Sequence, residues 1–173
     1  MIEFNKTSIS GVVTFINQKY EDDRGFFMET FNKEISDVLK CTFIQDNFVK
    51  TINKNVIRGL HYQTNKMQDK LIRVLKGEVF DVAVDLRKGS PTYKKWVGKI
   101  LSEKNGLNMF IPKGFAHGYC TLSNNTEIFY KCSNYYNPES ESGIIWDDPI
   151  LDIDWPTQNP ILSPKDKILP RLN

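Results

Sequence analysis

Apolar side chains recur at every second position along much of this chain, and few architectures accommodate that pattern. In Val79-Phe80-Asp81-Val82-Ala83-Val84-Asp85-Leu86, one face carries Phe80, Val82, Val84 and Leu86. The other face carries Asp81 and Asp85 among small apolar residues, as expected of a half-buried strand whose successive side chains point to opposite faces. Runs of the same kind cover residues 11–16, 25–31, 42–49, 55–62, 70–75, 96–101, 108–111, 119–122 and 127–135. Clusters such as Lys88-Gly89-Ser90-Pro91 and Lys104-Asn105-Gly106 separate them, and residues of this kind favour turns. Many short strands with turn signals at close spacing predict an all-β protein, a jelly-roll barrel or sandwich with a few short helices.

Helix is scarce. Residues 32–41 place Ile35, Val38 and Leu39 on one side of a short helix, and Ser163-Pro164-Lys165-Asp166 reads as a helix start with serine as cap and proline at the first turn. The tail from Pro138 is rich in proline and carries Trp146 and Trp155, so it is expected to lie against the barrel. With 173 residues, 40% of them hydrophobic, and no internal repeat, residues 1–173 are read as a single domain.

Composition excludes several classes of function. The 23 basic and 21 acidic residues are dispersed along the chain and leave a net charge of +2, which indicates neither a nucleic-acid nor a membrane partner. No apolar run approaches the roughly 20 residues that cross a bilayer. The start, Met1-Ile2-Glu3-Phe4-Asn5, has no leader character, so a cytoplasmic protein is expected. Cys41, Cys120 and Cys132 form no CxxC pair and are read as buried thiols. The chain has only two histidines, His61 and His117, so a base working near neutral pH has few candidates.

Taken alone, His61 in Arg58-Gly59-Leu60-His61-Tyr62-Gln63 admits two readings: a hydrogen-bonded core histidine, or part of a polar ligand site. The amides and acid of Gln45-Asn47 on the preceding strand favour the second, because buried polar groups without partners cost roughly 1–3 kcal/mol each. Strict alternation puts Arg58 out of phase with His61 unless Gly59 permits a bulge. Pro112-Lys113-Gly114-Phe115-Ala116-His117 resembles the Pro-x-Gly-x-x-His turn of cupin jelly rolls. There is no His-x-His, and two histidines do not supply the usual three ligands, so no metal site is expected. Arg24 is suited to bidentate recognition of a diphosphate. Glu29, Lys70, Tyr130, Tyr136 and Asp166 each have an ordinary structural explanation when taken singly.

Taken together, the segments resemble the dTDP-4-dehydrorhamnose 3,5-epimerase family of metal-free cupins. The likeness is carried in order by Asp23-Arg24-Gly25, Gln45-Asp46-Asn47, Arg58-Gly59-Leu60-His61-Tyr62-Gln63 and residues 77–85. Ser90-Pro91-Thr92, residues 111–119, Tyr130-Lys131-Cys132, Trp155-Pro156 and Leu162-Ser163-Pro164-Lys165-Asp166 continue it. The resemblance implies His61 as proton acceptor with Asp166 as its orienting carboxylate, Tyr130 as proton donor and Lys70 beside the enolate oxygen. It further implies Arg24, Glu29, Gln45, Asp46, Asn47, Arg58, His117, Glu141 and Lys165 around the sugar and nucleotide, with Tyr136 stacked on thymine. One departure is the run Phe48 to Asn55, where the family commonly shows serines. The family also implies a homodimer, in which a strand such as residues 7–16 is expected to cross between subunits.

The implied chemistry agrees with these residue types. Carbons 3 and 5 of a 4-keto sugar both flank the carbonyl, and either can lose a proton to form an enolate. Inversion then needs a base on one face, an acid on the other and a positive group at the oxygen. The reaction is redox-neutral, so no cofactor is expected, and the chain shows no GxGxxG dinucleotide signature. The alternatives are an epimerase acting on C3 or C5 alone, and a nucleotide-sugar-binding cupin without activity.

Overall fold

The computed structural model describes residues 2–172. Two antiparallel sheets face one another. The six-stranded sheet has the order β1 (Phe4–Lys6), β2 (Val13–Ile16), β10 (Leu107–Ile111), β7 (Lys70–Lys76), β12 (Thr126–Cys132) and β5 (Gln45–Thr51). The five-stranded sheet has the order β13 (Glu141–Gly143), β6 (Ile57–Gln63), β11 (Phe115–Thr121), β8 (Glu78–Asp85) and β9 (Trp96–Ser102). A separate hairpin, β3 (Tyr20–Asp22) and β4 (Gly25–Phe27), pairs only with itself. The arrangement is the jelly-roll sandwich that the alternation predicts.

Three apolar layers follow from the period of two. Between the sheets, Ile72, Val74, Met109, Ile111 and Ile128 of one sheet meet Val79, Ala83, Val97, Leu101 and Phe115 of the other. Outside the five-stranded sheet, Ile57, Leu60, Val82, Val84 and Cys120 are covered by Ile144, Leu151 and Trp155 of the tail. β8 is therefore covered on both faces and is not half-buried as its pattern suggested. Its Asp81 and Asp85 are fully buried and survive there because each is hydrogen-bonded. Outside the six-stranded sheet, Phe15, Leu71 and Phe110 are capped by α1 (Lys33–Leu39) through Ile35 and Leu39, whereas Val38 is exposed.

The helix starts where expected, with the Asn32 side chain accepting from the Ile35 N–H, and it ends at Lys40 in the left-handed region. At the second expected helix start, the Asp166 N–H donates to Ser163 Oγ, but only one 3-10 turn, Asp166–Ile168, follows. β2 pairs with β1 and β10 of its own chain. The strand expected over residues 25–31 is reduced to β4, and its Phe26 and Phe27 are exposed and do not face the core. All three cysteines are free and buried. Among the described residues no helix is long and apolar enough to cross a membrane.

Candidate active site

β6 and β11 position the two histidines. His61 lies opposite His117, while Arg58 lies opposite Tyr119, so three residue steps on β6 match two on β11. The extra residue is accommodated at Gly59, whose φ is +124° and whose missing Cβ would stand 2.6 Å from Gly118 Cα and 2.8 Å from the His117 oxygen. Only glycine fits that close approach. The bulge brings Arg58 and His61 to one cavity.

That cavity opens between the sheets as two lobes of about 280 and 260 Å³, both bordered by His61, Lys70 and Tyr130. Gln45, Asn47, Tyr136 and Glu141 line the first lobe. Arg58, His117, Lys165 and Asp166 line the second. His61 comes from the five-stranded sheet, whereas Lys70 on β7 and Tyr130 on β12 come from the six-stranded one. The histidine and the tyrosine therefore border the cavity from different sheets.

His61 Nε2 lies 2.6 Å from Asp166 Oδ1, the carboxylate being almost wholly buried and the imidazole about one-third exposed. Burial pushes the Asp166 carboxyl up, but the His61 hydrogen bond and charge, the Ser163 hydroxyl and the Gly59 N–H outweigh this and leave it below its ordinary value. An ionised Asp166 holds the proton on Nε2, leaving Nδ1 as the basic nitrogen. His117 Nε2 is held in the same way, 3.0 Å from both oxygens of Asp81.

Lys70 makes no hydrogen bond or ion pair with any described residue, and burial lowers its pKa against the opposing pull of Cys132, Asp81 and Glu141. An unpaired ammonium at a cavity wall is suited to an oxygen that becomes negative. Burial raises the Tyr130 pKa, Cys132 adds to the rise and Arg58 opposes it, so the phenol keeps its proton.

At the cavity mouth, Tyr136 Oη donates to Glu141 Oε2, and Lys165 Nζ pairs with the same oxygen. Burial pushes Glu141 up, but the Lys165 and Tyr136 hydrogen bonds hold it below the ordinary value. Gln45 Oε1 accepts from the Tyr136 N–H at 3.0 Å, and Gln45 Nε2 donates to Asn47 Oδ1 at 3.0 Å. Tyr136 is half exposed at the cavity mouth.

Three expected site residues are not brought to the cavity. Asp46 lies between Gln45 and Asn47 on β5, and alternation turns it to the outer face, where Lys131 Nζ pairs with it at 2.9 Å. Arg24 stands at the tip of the β3–β4 hairpin, paired with Asp22. Glu29 follows that hairpin and accepts from Asn32 at 2.9 Å. Conversely, Tyr62, Gln63, Gln68, Tyr119 and Cys132 border the cavity without having been singled out. Parity signalled two of them, since Gln63 follows His61 and Cys132 follows Tyr130 by two positions. Among the described residues no three His, Cys, Asp or Glu side chains converge to hold a metal ion.

A family profile described as dTDP-4-dehydrorhamnose 3,5-epimerase matches residues 6–173. The dTDP-4-dehydrorhamnose 3,5-epimerase of Shigella flexneri is 50% identical over 165 residues, covering 93% of this chain and 91% of that protein. The protein of the same name from Neisseria gonorrhoeae is 52% identical over 165 residues, or 92% of this chain, which spans about half (49%) of that longer relative. Among solved structures, the Bacillus anthracis epimerase with TDP and pyrophosphate bound superposes with a TM-score of 0.96 at 45% identity, covering 99% of this chain and 100% of that one. The Legionella pneumophila dTDP-6-deoxy-D-glucose-3,5-epimerase in complex with dTDP-4-keto-L-rhamnose gives 0.92 at 46%, covering 100% of each chain.

Proposed function

This chain belongs to the dTDP-4-dehydrorhamnose 3,5-epimerase family, and we propose that its cavity takes a dTDP-linked 4-keto-6-deoxyhexose and inverts C3 and C5 through enolates. The observation that carries this reading is that His61 and Tyr130 border one cavity from opposite sheets, with Lys70 on the strand next to that of Tyr130. His61 Nδ1 removes the proton from the carbon beside the carbonyl, and the electron pair moves into the C4 oxygen. The Lys70 ammonium stabilises that oxygen. The Tyr130 hydroxyl then protonates the carbon from the other face, giving the inverted centre. After each inversion His61 holds an extra proton and Tyr130 lacks one, and exchange with solvent restores both. Asp166 fixes the imidazole tautomer and stabilises the imidazolium.

Arg58, His117, Gln45, Asn47 and Lys165 serve the sugar and diphosphate, and the Tyr136 ring serves the thymine. The hairpin does not reach its own cavity, and its exposed Tyr20, Phe26 and Phe27 are a surface for a second copy. We place Arg24 and Glu29 at the site of that second copy in a cytoplasmic homodimer. Asp46, paired with Lys131 on the outer face, is given no role in this reading.

Proton NMR of the purified protein with dTDP-4-keto-6-deoxyglucose in D2O tests the reading. Deuterium is expected at C3 and C5 with the L-configured product accumulating. Exchange and inversion at C3 alone would make the chain a 3-epimerase, the name borne by a Streptomyces niveus relative 36% identical over 165 residues. No exchange at either carbon would sink the enzymatic reading. Activity is expected to survive exhaustive chelation, because every step is assigned to a side chain.

A further inference from the structure

The β3–β4 hairpin leaves the sandwich after β2, and every residue of its two strands is exposed. Its two ends are nevertheless held by one buried side chain. Arg73 of β7 donates from Nη1 to Asn17 Oδ1 at 3.0 Å, and its Nη2 lies 3.2 Å from Met28 Sδ. Asn17 immediately follows β2, and Met28 immediately follows β4, so Arg73 touches the start and the finish of the arm. Asn108 of β10 completes the cluster, donating from Nδ2 to Asn17 Oδ1 at 2.7 Å and to the Phe15 oxygen at 3.1 Å.

Arg73 is only 8% exposed, and no carboxylate pairs with it among the described residues. Burial accordingly lowers its pKa. A charge held this way opposes folding, and an apolar side chain of similar volume would pack there at less cost. What the guanidinium supplies instead is a planar fork that fixes two separate segments in direction. Direction matters at this place. Phe26 and Phe27 of the arm and Val74 and Leu75 of β7 border one cavity of about 360 Å³, and the contacts that Arg73 makes hold the arm at its two ends.

We propose that Arg73 is a positioning residue: by clamping Asn17 and Met28 it aims the hairpin so that Arg24 meets the nucleotide sugar in a second copy's cavity. The proposal rests on the reading of Arg24 as a substrate contact given above.

A double-mutant cycle of Arg73→Met, Arg24→Ala and the pair tests it, with kcat, KM and Tm measured for each full-length protein. Arg73→Met is expected to raise KM roughly tenfold by misaiming the contact, with kcat within about twofold of wild type. In the Arg24→Ala background the same substitution is expected to raise KM no further, because the contact through which it acts is gone. Multiplying KM effects would overturn the clamp while leaving Arg24 as a substrate contact. An Arg24→Ala protein with wild-type KM would overturn both the clamp and the reading it rests on. Arg73→Lys keeps the charge but loses the fork, and the same cycle run with it decides the matter if the methionine variant does not fold.

Discussion

Arg58 and His61 are an odd number of residues apart on one strand and still line one cavity. On a regular strand they would face opposite ways. The bulge at Gly59 absorbs one residue, and the chain there passes so close to Gly118 and the His117 carbonyl that no side chain fits.

Gly59→Ala is therefore expected to cost about 3 kcal/mol or more, combining a positive φ with a backbone clash. Urea denaturation gives the stability, and the NMR exchange assay gives the activity. Wild-type values for both would show that the bulge does not need glycine.

His61→Ala is expected to abolish deuterium exchange and inversion together, because no other group is assigned to remove the proton. Asp166→Asn is expected to lower kcat by about 10–100-fold, with dTDP affinity unchanged, since it disturbs the orientation of the base and not the nucleotide contacts. Exchange at a near-wild-type rate in His61→Ala would show that the base lies elsewhere.

Tyr130→Phe removes one oxygen and keeps the ring. His61 still takes a proton and returns deuterium to the same face, so label is expected to wash into the starting sugar with its configuration retained. Formation of the C5-inverted product is expected to fall by about 10²–10⁴-fold, the usual contribution of a positioned acid. Normal C5 inversion would reduce Tyr130 to a packing role, and loss of all exchange would move it to the deprotonation step.

Lys70→Met separates function from stability. Turnover is expected to fall by about 10²–10³-fold through loss of charge at the enolate oxygen. Stability at pH 7 is expected to rise, because a half-buried ammonium without an ion pair is exchanged for an apolar chain. The folded pKa of Lys70 lies below its ordinary 10.5, so the unfolded chain binds more protons between those two values and wild-type stability rises with pH there. The methionine variant should lack that rise. A variant less stable than wild type at pH 7 would mean that Lys70 supports the fold.

Asp85 explains the Ser90-Pro91-Thr92 motif structurally. Its fully buried carboxylate accepts from Arg87 Nε at 2.9 Å, Ser90 Oγ at 2.6 Å and Thr92 Oγ1 at 2.7 Å. Burial raises its pKa, but these donors together with the Arg87 N–H outweigh it and hold the carboxyl far below the ordinary value. A depressed folded pKa contributes stability above the unfolded value near 4, and that stability is lost as pH falls through the folded pKa. Asp85→Asn is expected to cost about 2–3 kcal/mol at pH 7 and to flatten the acid limb of the stability profile, with kcat unchanged because the cluster borders neither lobe. Undiminished stability at pH 7 would count against this account.

Much was legible in the sequence because local periodicity reports on faces. Alternation identified the strands, the scarcity of helix and the opposing polarity of β8, and the serine read as a cap, Ser163, accepts from the Asp166 N–H. The same rule, applied strictly, would have removed Asp46 from the site, since its neighbours Gln45 and Asn47 point inward. The resemblance of the ordered motifs to the epimerase family is what suggested His61, Lys70, Tyr130 and Asp166. Their relation was not legible. Asp166 lies 105 positions from His61 and meets it at 2.6 Å only because the tail folds back over the five-stranded sheet. Lys70 and Tyr130 oppose His61 only because their strands belong to the other sheet. Burial of both faces of β8 likewise depended on a tail that no strand pattern announces. Periodicity along a chain sets which way a side chain points relative to its own strand; which strands become neighbours is decided by long-range packing, and the distance between a base and its acid belongs to that second level.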